Sequence, residues 1–183
     1  MTLYRYRKLL IGLVGIAAGM LIISTYIVGI FTVDGVSMYP TLNDRSVHPL
    51  VKLPRTIASI NRSAYVPKRG DIVVLIKDEN NLFDPQAALV KNYVVKRTVG
   101  LPGERVTIKS GVITVYNKQH QKGFVPDSEY KWVQDLSGSE SFNIDITLKD
   151  SELFVIGDNR DESIDSRFYG PIDTAEVVGR VIP

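Results

Sequence analysis

Tyr93-Val94-Val95-Lys96-Arg97-Thr98-Val99-Gly100-Leu101-Pro102-Gly103-Glu104-Arg105-Val106-Thr107-Ile108-Lys109 decides the fold class. Its apolar positions are mostly β-branched and come in short runs, which suits a pleated strand better than a helix. Pro102 and Gly103 occupy the two central positions of a type II turn, where proline presets φ and glycine takes the positive φ. The segment therefore reads as strand, turn, strand. Ser110-Gly111 closes a hairpin onto a third strand, Val112 to Tyr116. Asp71 to Ile76 and Leu153 to Ile156 have the same length and punctuation. Glycine and proline are dense beyond Phe31, so a strand-rich domain is expected. Lys77 to Lys91 and Asn117 to Asn143 lack periodicity and are expected as surface loops.

The N-terminal end is different in kind. From Leu9 to Phe31 no residue is charged, and at 1.5 Å per helical residue such a run covers roughly the 30 Å hydrocarbon core of a bilayer. It reads as one transmembrane helix. The run is longer than the apolar core of a cleavable signal peptide, and no small-x-small cleavage site follows it. Arg5, Arg7 and Lys8 precede it, and the positive-inside tendency keeps them cytoplasmic. The expected division is a cytoplasmic N-terminus over residues 1–8, an anchor over 9–31 and an extracytoplasmic domain over 32–183. The chain is then a single-pass protein of the cell membrane.

Composition removes several function classes. The 183 residues include 22 basic and 20 acidic ones. Without the three basic residues of the N-terminus the balance is 19 to 20, which offers no concentrated basic face for nucleic acid. Cysteine is absent, which excludes thiol catalysis, structural disulfides and Cys-based zinc sites. The two histidines, His48 and His120, lie in polar stretches outside any metal-ligand motif and read as surface residues. No metal and no cofactor is expected.

Ser37 lies in Asp34-Gly35-Val36-Ser37-Met38-Tyr39-Pro40-Thr41, directly after the apolar run. Pro40 biases Tyr39 away from the helical region, so Ser37 sits on extended or turning backbone. The six residues from Thr32 to Ser37 reach at most about 20 Å when extended, which keeps Ser37 near the membrane surface. A serine hydroxyl needs a base to act as a nucleophile. Histidine is poorly supported here: the stretch lacks the second glycine of a nucleophile elbow, and His48 has no evident orienting acid. Lysine serves when burial strips its charge, whereas arginine stays protonated. Strand alternation puts Lys96 on one face with Val94 and Thr98 and Arg97 on the other with Val95 and Val99. Only one of the two enters a common site. Ser128-Glu129-Tyr130-Lys131 matches a Ser-x-x-Lys pattern, but the Ser-Asp-Asn and Lys-Thr-Gly companions of that pattern are missing, and it reads as chance. Gly157 through Pro171, rich in charge and hydroxyls beside the apolar run Leu153 to Ile156, reads as a rigid polar loop.

Four blocks in this order resemble the bacterial type I signal peptidases: Ser37-Met38-Tyr39-Pro40-Thr41, Arg69-Gly70-Asp71-Ile72-Val73-Val74, Lys96 through Glu104, and Gly157 through Pro171. The resemblance implies a mostly β fold of packed antiparallel sheets, preceded by one N-terminal transmembrane helix. It also implies a monomeric, membrane-bound serine endopeptidase that removes signal peptides from exported preproteins, cutting after small residues in an Ala-x-Ala-like pattern. Carried over residue by residue, Ser37 is the nucleophile and Lys96 the general base, and Ser163 orients the lysine amine. The Ser37 backbone N–H belongs to the oxyanion hole, and Arg97 with Asp158, and Asp165 with Arg167, are structural ion pairs. Gly35 stands where some members carry an oxyanion-binding serine hydroxyl, as glycine does in Gram-positive-type members. Glu104 replaces the commoner aspartate and is expected to matter little. The implied partners are preproteins and the lipid bilayer, and not nucleic acid.

Two other readings stand beside this one. A catalytically silent assembly factor would have lost Ser37 or Lys96, and both are present. A relative of self-cleaving transcriptional repressors would carry a DNA-binding head in place of the apolar run.

Overall fold

The computed structural model describes residues 2–33, 35–42, 55–61, 66–76, 93–126 and 142–181. Helix α1 covers Thr2–Ile27, and strands β1 (Val28–Val33) and β2 (Arg55–Asn61) follow. Next come β3 (Ile72–Ile76), β4 (Tyr93–Gly100), β5 (Arg105–Lys109) and β6 (Val112–Tyr116). The chain ends with β7 (Ile144–Thr147), β8 (Glu152–Ile156), the short helix α2 (Ser166–Tyr169), β9 (Ile172–Asp173) and β10 (Val177–Val181).

All paired strands are antiparallel. Seven form one sheet in the order β1-β2-β10-β3-β4-β8-β9, and three form a second in the order β6-β5-β7. The expected mostly β architecture is therefore correct, and the five strands read from sequence are present to within a residue at either end. β1, β2, β7, β9 and β10 are additional. The two long stretches expected as loops fall largely outside the described residues, as do His48 and the Ser128 to Lys131 pattern.

The apolar N-terminal run differs from expectation at its end. The helix stops at Ile27, and Val28 to Phe31 belong to β1, paired with β2 in the register Val28↔Ile60 through Val33↔Arg55. Val28, Ile30, Thr32 and Val33 are β-branched, and a neighbouring strand satisfies their backbone groups better than further helix would. Among the described residues no helix is long and apolar enough to cross a membrane, and the side chains described along α1 are those of residues 6–20. Leu9, Leu10, Ile11, Leu13, Val14, Ile16 and Met20 are 56–68% exposed. Every residue from Tyr6 to Ala18 is exposed, and such a stretch covers more than three full turns, so this part of the helix turns no side to the protein.

The β4–β5 connection is the turn read from sequence. Glu104 N–H donates to Leu101 O at 3.1 Å, and Gly103 has φ +75°. Ser110 and Gly111 both have positive φ, the signature of a type I′ hairpin, and the register Lys109↔Val112 closes around them. At Gly100 the chain passes from the large sheet to the small one. A Cβ there would meet Val106 Cγ2 at 2.7 Å, Leu148 Cδ1 at 2.8 Å and Phe154 Cβ at 2.9 Å, so only glycine fits.

Among the described residues the core has three parts. Val99, Phe154 and Ile156 of the large sheet pack against Val106, Ile108, Ile113 and Val115 of the small one. Val73, Leu75, Leu153, Val155, Ile172 and Val177 form a second cluster. In the third, Met38 and Leu42 insert beside Val33, Val74 and Val181 and fasten the segment after β1 to the sheet.

Candidate active site

Met38 is 1% exposed and Leu42 4%, and burying such side chains is worth about 1.5–3 kcal/mol each. Around these two anchors the chain makes two successive turns, with Tyr39 N–H donating to Val36 O at 3.0 Å and Leu42 N–H to Met38 O at 2.8 Å, and Ser37 lies in the first. The Tyr39–Pro40 peptide is cis. Ser37 therefore sits on a fixed turn, as Pro40 led us to expect.

Lys96 approaches from β4. It is paired with Val73 of β3, is 3% exposed, and its Nζ donates to Ser37 Oγ at 3.1 Å. Arg97 leaves the opposite face of the strand. Its Nε and Nη2 contact Asp158 Oδ1 and Oδ2 at 2.7 and 2.6 Å, and its Nη1 donates to Gly70 O at 2.7 Å. Asp158 is fully buried, and Thr41 Oγ1 adds a bond to its Oδ2 at 2.5 Å. A two-pronged guanidinium with a neutral donor offsets the desolvation of that carboxylate.

The loop after β8 completes the cluster. Asp165 accepts from Gly157 N–H at 3.0 Å and from Arg167 Nε and Nη2 at 2.8 and 2.9 Å, and it caps α2 through Arg167 N–H. Arg167 Nη2 also donates to the carbonyls of Arg160 and Ser163 at 2.7 and 3.1 Å. Both expected ion pairs are formed, and they cross-link the loop from Gly157 to Arg167. A Cβ on Gly157 would overlap Ser163 Oγ and lie 2.5 Å from Ser163 Cβ and from Ser37 O. Glycine at this point lets the loop and the Ser37 turn touch. Asn159 holds that contact, its N–H donating to Ser37 O at 2.9 Å and its Nδ2 to Val36 O at 3.3 Å.

One expected contact is absent. Ser163 Oγ is buried beside Gly157 but has no hydrogen-bond partner among the described residues, so it does not bond the Lys96 amine in this conformation; Thr98 Oγ1, on the Lys96 side of β4, is likewise unpartnered among them. The lysine amine is turned to Ser37. Glu104 anchors a second set of contacts. It is 7% exposed and accepts from Leu101 N–H at 2.8 Å, Asn117 Nδ2 at 2.9 Å and Arg69 Nη2 at 2.5 Å. Arg69 in turn donates to Val99 O and lies 4.9 Å from the Phe124 ring centre. The carboxylate thus ties the Arg69 block to the β4–β5 turn. His120 is exposed in a turn, 3.2 Å from Asn117 Oδ1 and 4.7 Å from the Phe124 ring, away from the cluster.

Three of these contributors were not singled out from sequence: Thr41, Gly157 and Asn159. All lie inside the quoted blocks, but nothing in residue type or spacing separates them from their neighbours.

Known proteins supply the comparison. The family described as signal peptidase, peptidase S26, matches residues 4–183. Signal peptidase I S of Bacillus subtilis is 33% identical over 150 residues, covering 80% of this chain and 70% of that protein. A signal peptidase I of Bacillus licheniformis is 29% identical over 167 residues, covering 87% and 77%. A solved signal peptidase I from Enterococcus faecalis shares 25% identity with a TM-score of 0.45, covering 65% of this chain and 98% of that one. The chain belongs to the signal peptidases of peptidase family S26, serine peptidases that remove signal peptides from preproteins.

Proposed function

We propose that the chain cleaves preproteins with a Ser37–Lys96 dyad, and the observation that carries this reading is the 3.1 Å contact between Nζ of the buried Lys96 and Oγ of the half-buried Ser37. Neutral Lys96 takes the hydroxyl proton as Ser37 Oγ attacks the scissile carbonyl. The same proton then goes to the leaving amine, which departs as the mature N-terminus. Lys96 next accepts a proton from water as the water oxygen attacks the acyl carbonyl, and returns that proton to Ser37 Oγ as the acyl–oxygen bond breaks, which releases the signal peptide and restores the dyad. Lysine suits the task because its amine, unlike a guanidinium, exists neutral once water is excluded. The Ser37 N–H faces the developing oxyanion. Ser163 is buried next to the same turn, and its free hydroxyl receives the Lys96 amine when the amine swings from Ser37 toward the leaving group.

The substrates are preproteins with small residues at the first and third positions before the cut, a specificity that rests on the resemblance of the four sequence blocks. The enzyme works as a monomer on the outer side of the cell membrane. Two features support α1 as its anchor: the uncharged part from Leu9 to Ile27 measures about 28 Å at helical rise, and its described apolar side chains are exposed on all sides. Arg5, Arg7 and Lys8 then remain cytoplasmic. Purified full chain in detergent, given one preprotein with Ala at both positions and a second with Leu at the first, tests this reading. Cleavage of the first only is expected. Equal cleavage of both, or of neither, contradicts it.

A further inference from the structure

Glycine at position 35 leaves the oxyanion site without a side-chain hydroxyl, and the burden falls on the Ser37 N–H. That N–H belongs to the same planar peptide unit as the Val36 carbonyl and points opposite to it. Whatever fixes Val36 O therefore aims the Ser37 N–H. Two donors hold Val36 O, Tyr39 N–H at 3.0 Å and Asn159 Nδ2 at 3.3 Å. The Asn159 N–H meanwhile holds Ser37 O, on the next peptide unit, at 2.9 Å. Asn159 thus grips the peptides on both sides of the Ser37 Cα, one with its side chain and one with its backbone.

We propose that Asn159 is a positioning residue for the oxyanion hole: its carboxamide orients the Ser37 N–H through Val36 O and polarises it. A carbonyl that accepts hydrogen bonds makes the N–H of its own amide a stronger donor. A preset donor helps most when charge appears on the substrate oxygen, so the benefit falls on the transition state. Asn159 itself is fixed by the loop, with Asp158 held by Arg97 on one side and Arg160 O held by Arg167 on the other. This inference rests on the reading of Ser37 as the acylated residue.

The test uses full-length protein in detergent and a cleavable preprotein. Asn159→Ala removes the bond to Val36 O and keeps the backbone bond to Ser37 O. Asn159→Asp keeps the size but places an acceptor against a carbonyl. Outright loss of an oxyanion donor costs roughly 10²–10³ in kcat, and misaiming one is expected to lower kcat about tenfold in both variants with KM within about twofold. A peptide aldehyde, whose adduct on Ser37 carries the oxyanion, should lose affinity by the same factor, which a merely structural role would not cause. Gly35→Ser should restore part of kcat in the Asn159→Ala background, because among the described residues a Cβ on Gly35 meets nothing within 4 Å. Unchanged kcat in both Asn159 variants, with Ser37→Ala inactive, overturns the inference and leaves the dyad standing. So does a raised KM with intact kcat, or a fall in thermal midpoint with unchanged aldehyde affinity. Cleavage by Ser37→Ala would bring down the dyad reading and this inference with it.

Discussion

Gly157 has one hydrogen where any other residue has a side chain, and the Ser37 turn rests against that hydrogen. Gly157→Ala would drive a methyl into Ser163 Oγ and the Ser37 carbonyl, so we expect cleavage to fall by at least about 10²-fold, as it does when reacting groups move by an ångström. The assay is preprotein turnover, with folding followed by thermal midpoint. Normal turnover would show that the Ser37 turn is not where we place it. Asp158→Asn keeps the shape of the buried pair and removes the charge that Arg97 requires. It should cost about 3 kcal/mol, read as a lowered thermal midpoint in detergent. At this scale the sequence was legible in part. Alternation along β4 separates Lys96 from Arg97 without any structure, because the period of a strand is fixed. The meeting of Lys96 with Ser37, 59 residues apart, was legible only through family resemblance, and the hydrogen-bond state of Ser163 was not legible at all. Neither depends on local backbone preference.

Between the residues and the sheet lies the turn from Leu101 to Glu104, whose shape was readable from Pro102 and Gly103. Its function as a junction was not. A glutamate at the fourth position looks like a neutral exchange for aspartate, yet its carboxylate collects Leu101 N–H, Asn117 and Arg69 from three segments. Glu104→Ala should lower stability by about 1–3 kcal/mol, since it strands a guanidinium and a backbone N–H together. Thermal denaturation measures this, and an unchanged midpoint would contradict the assigned junction. Away from the site, Arg105 and Asp145 pair in the open on β5 and β7. Their side-chain hydrogen bond holds the Asp145 carboxyl below its ordinary value of 3.8. Its small support of the small sheet is thus present above that pH and fades as acid titrates the folded-state carboxylate.

Over the whole molecule, the strands that punctuation revealed are those bounded by Gly, Pro or a tight turn. β7 was hidden because Ile144 to Thr147 follows a long polar stretch without a boundary signal. β1 was hidden because Val28 to Phe31 continues an apolar run whose helical and extended readings differ only in β-branching. Sheet order joins β10 to β3 and β4 to β8 across the sequence, and no local pattern encodes such pairings. With α1 read as an anchor, the full chain should stay with membranes after an alkaline wash; recovery in the supernatant would contradict anchoring. The most direct test of the central claim is the rate at which wild type, Ser37→Ala and Lys96→Ala cleave one preprotein in detergent. The account predicts turnover by wild type and a loss of at least about 10³-fold in each variant with folding intact; cleavage by either variant at a rate near that of wild type would contradict it.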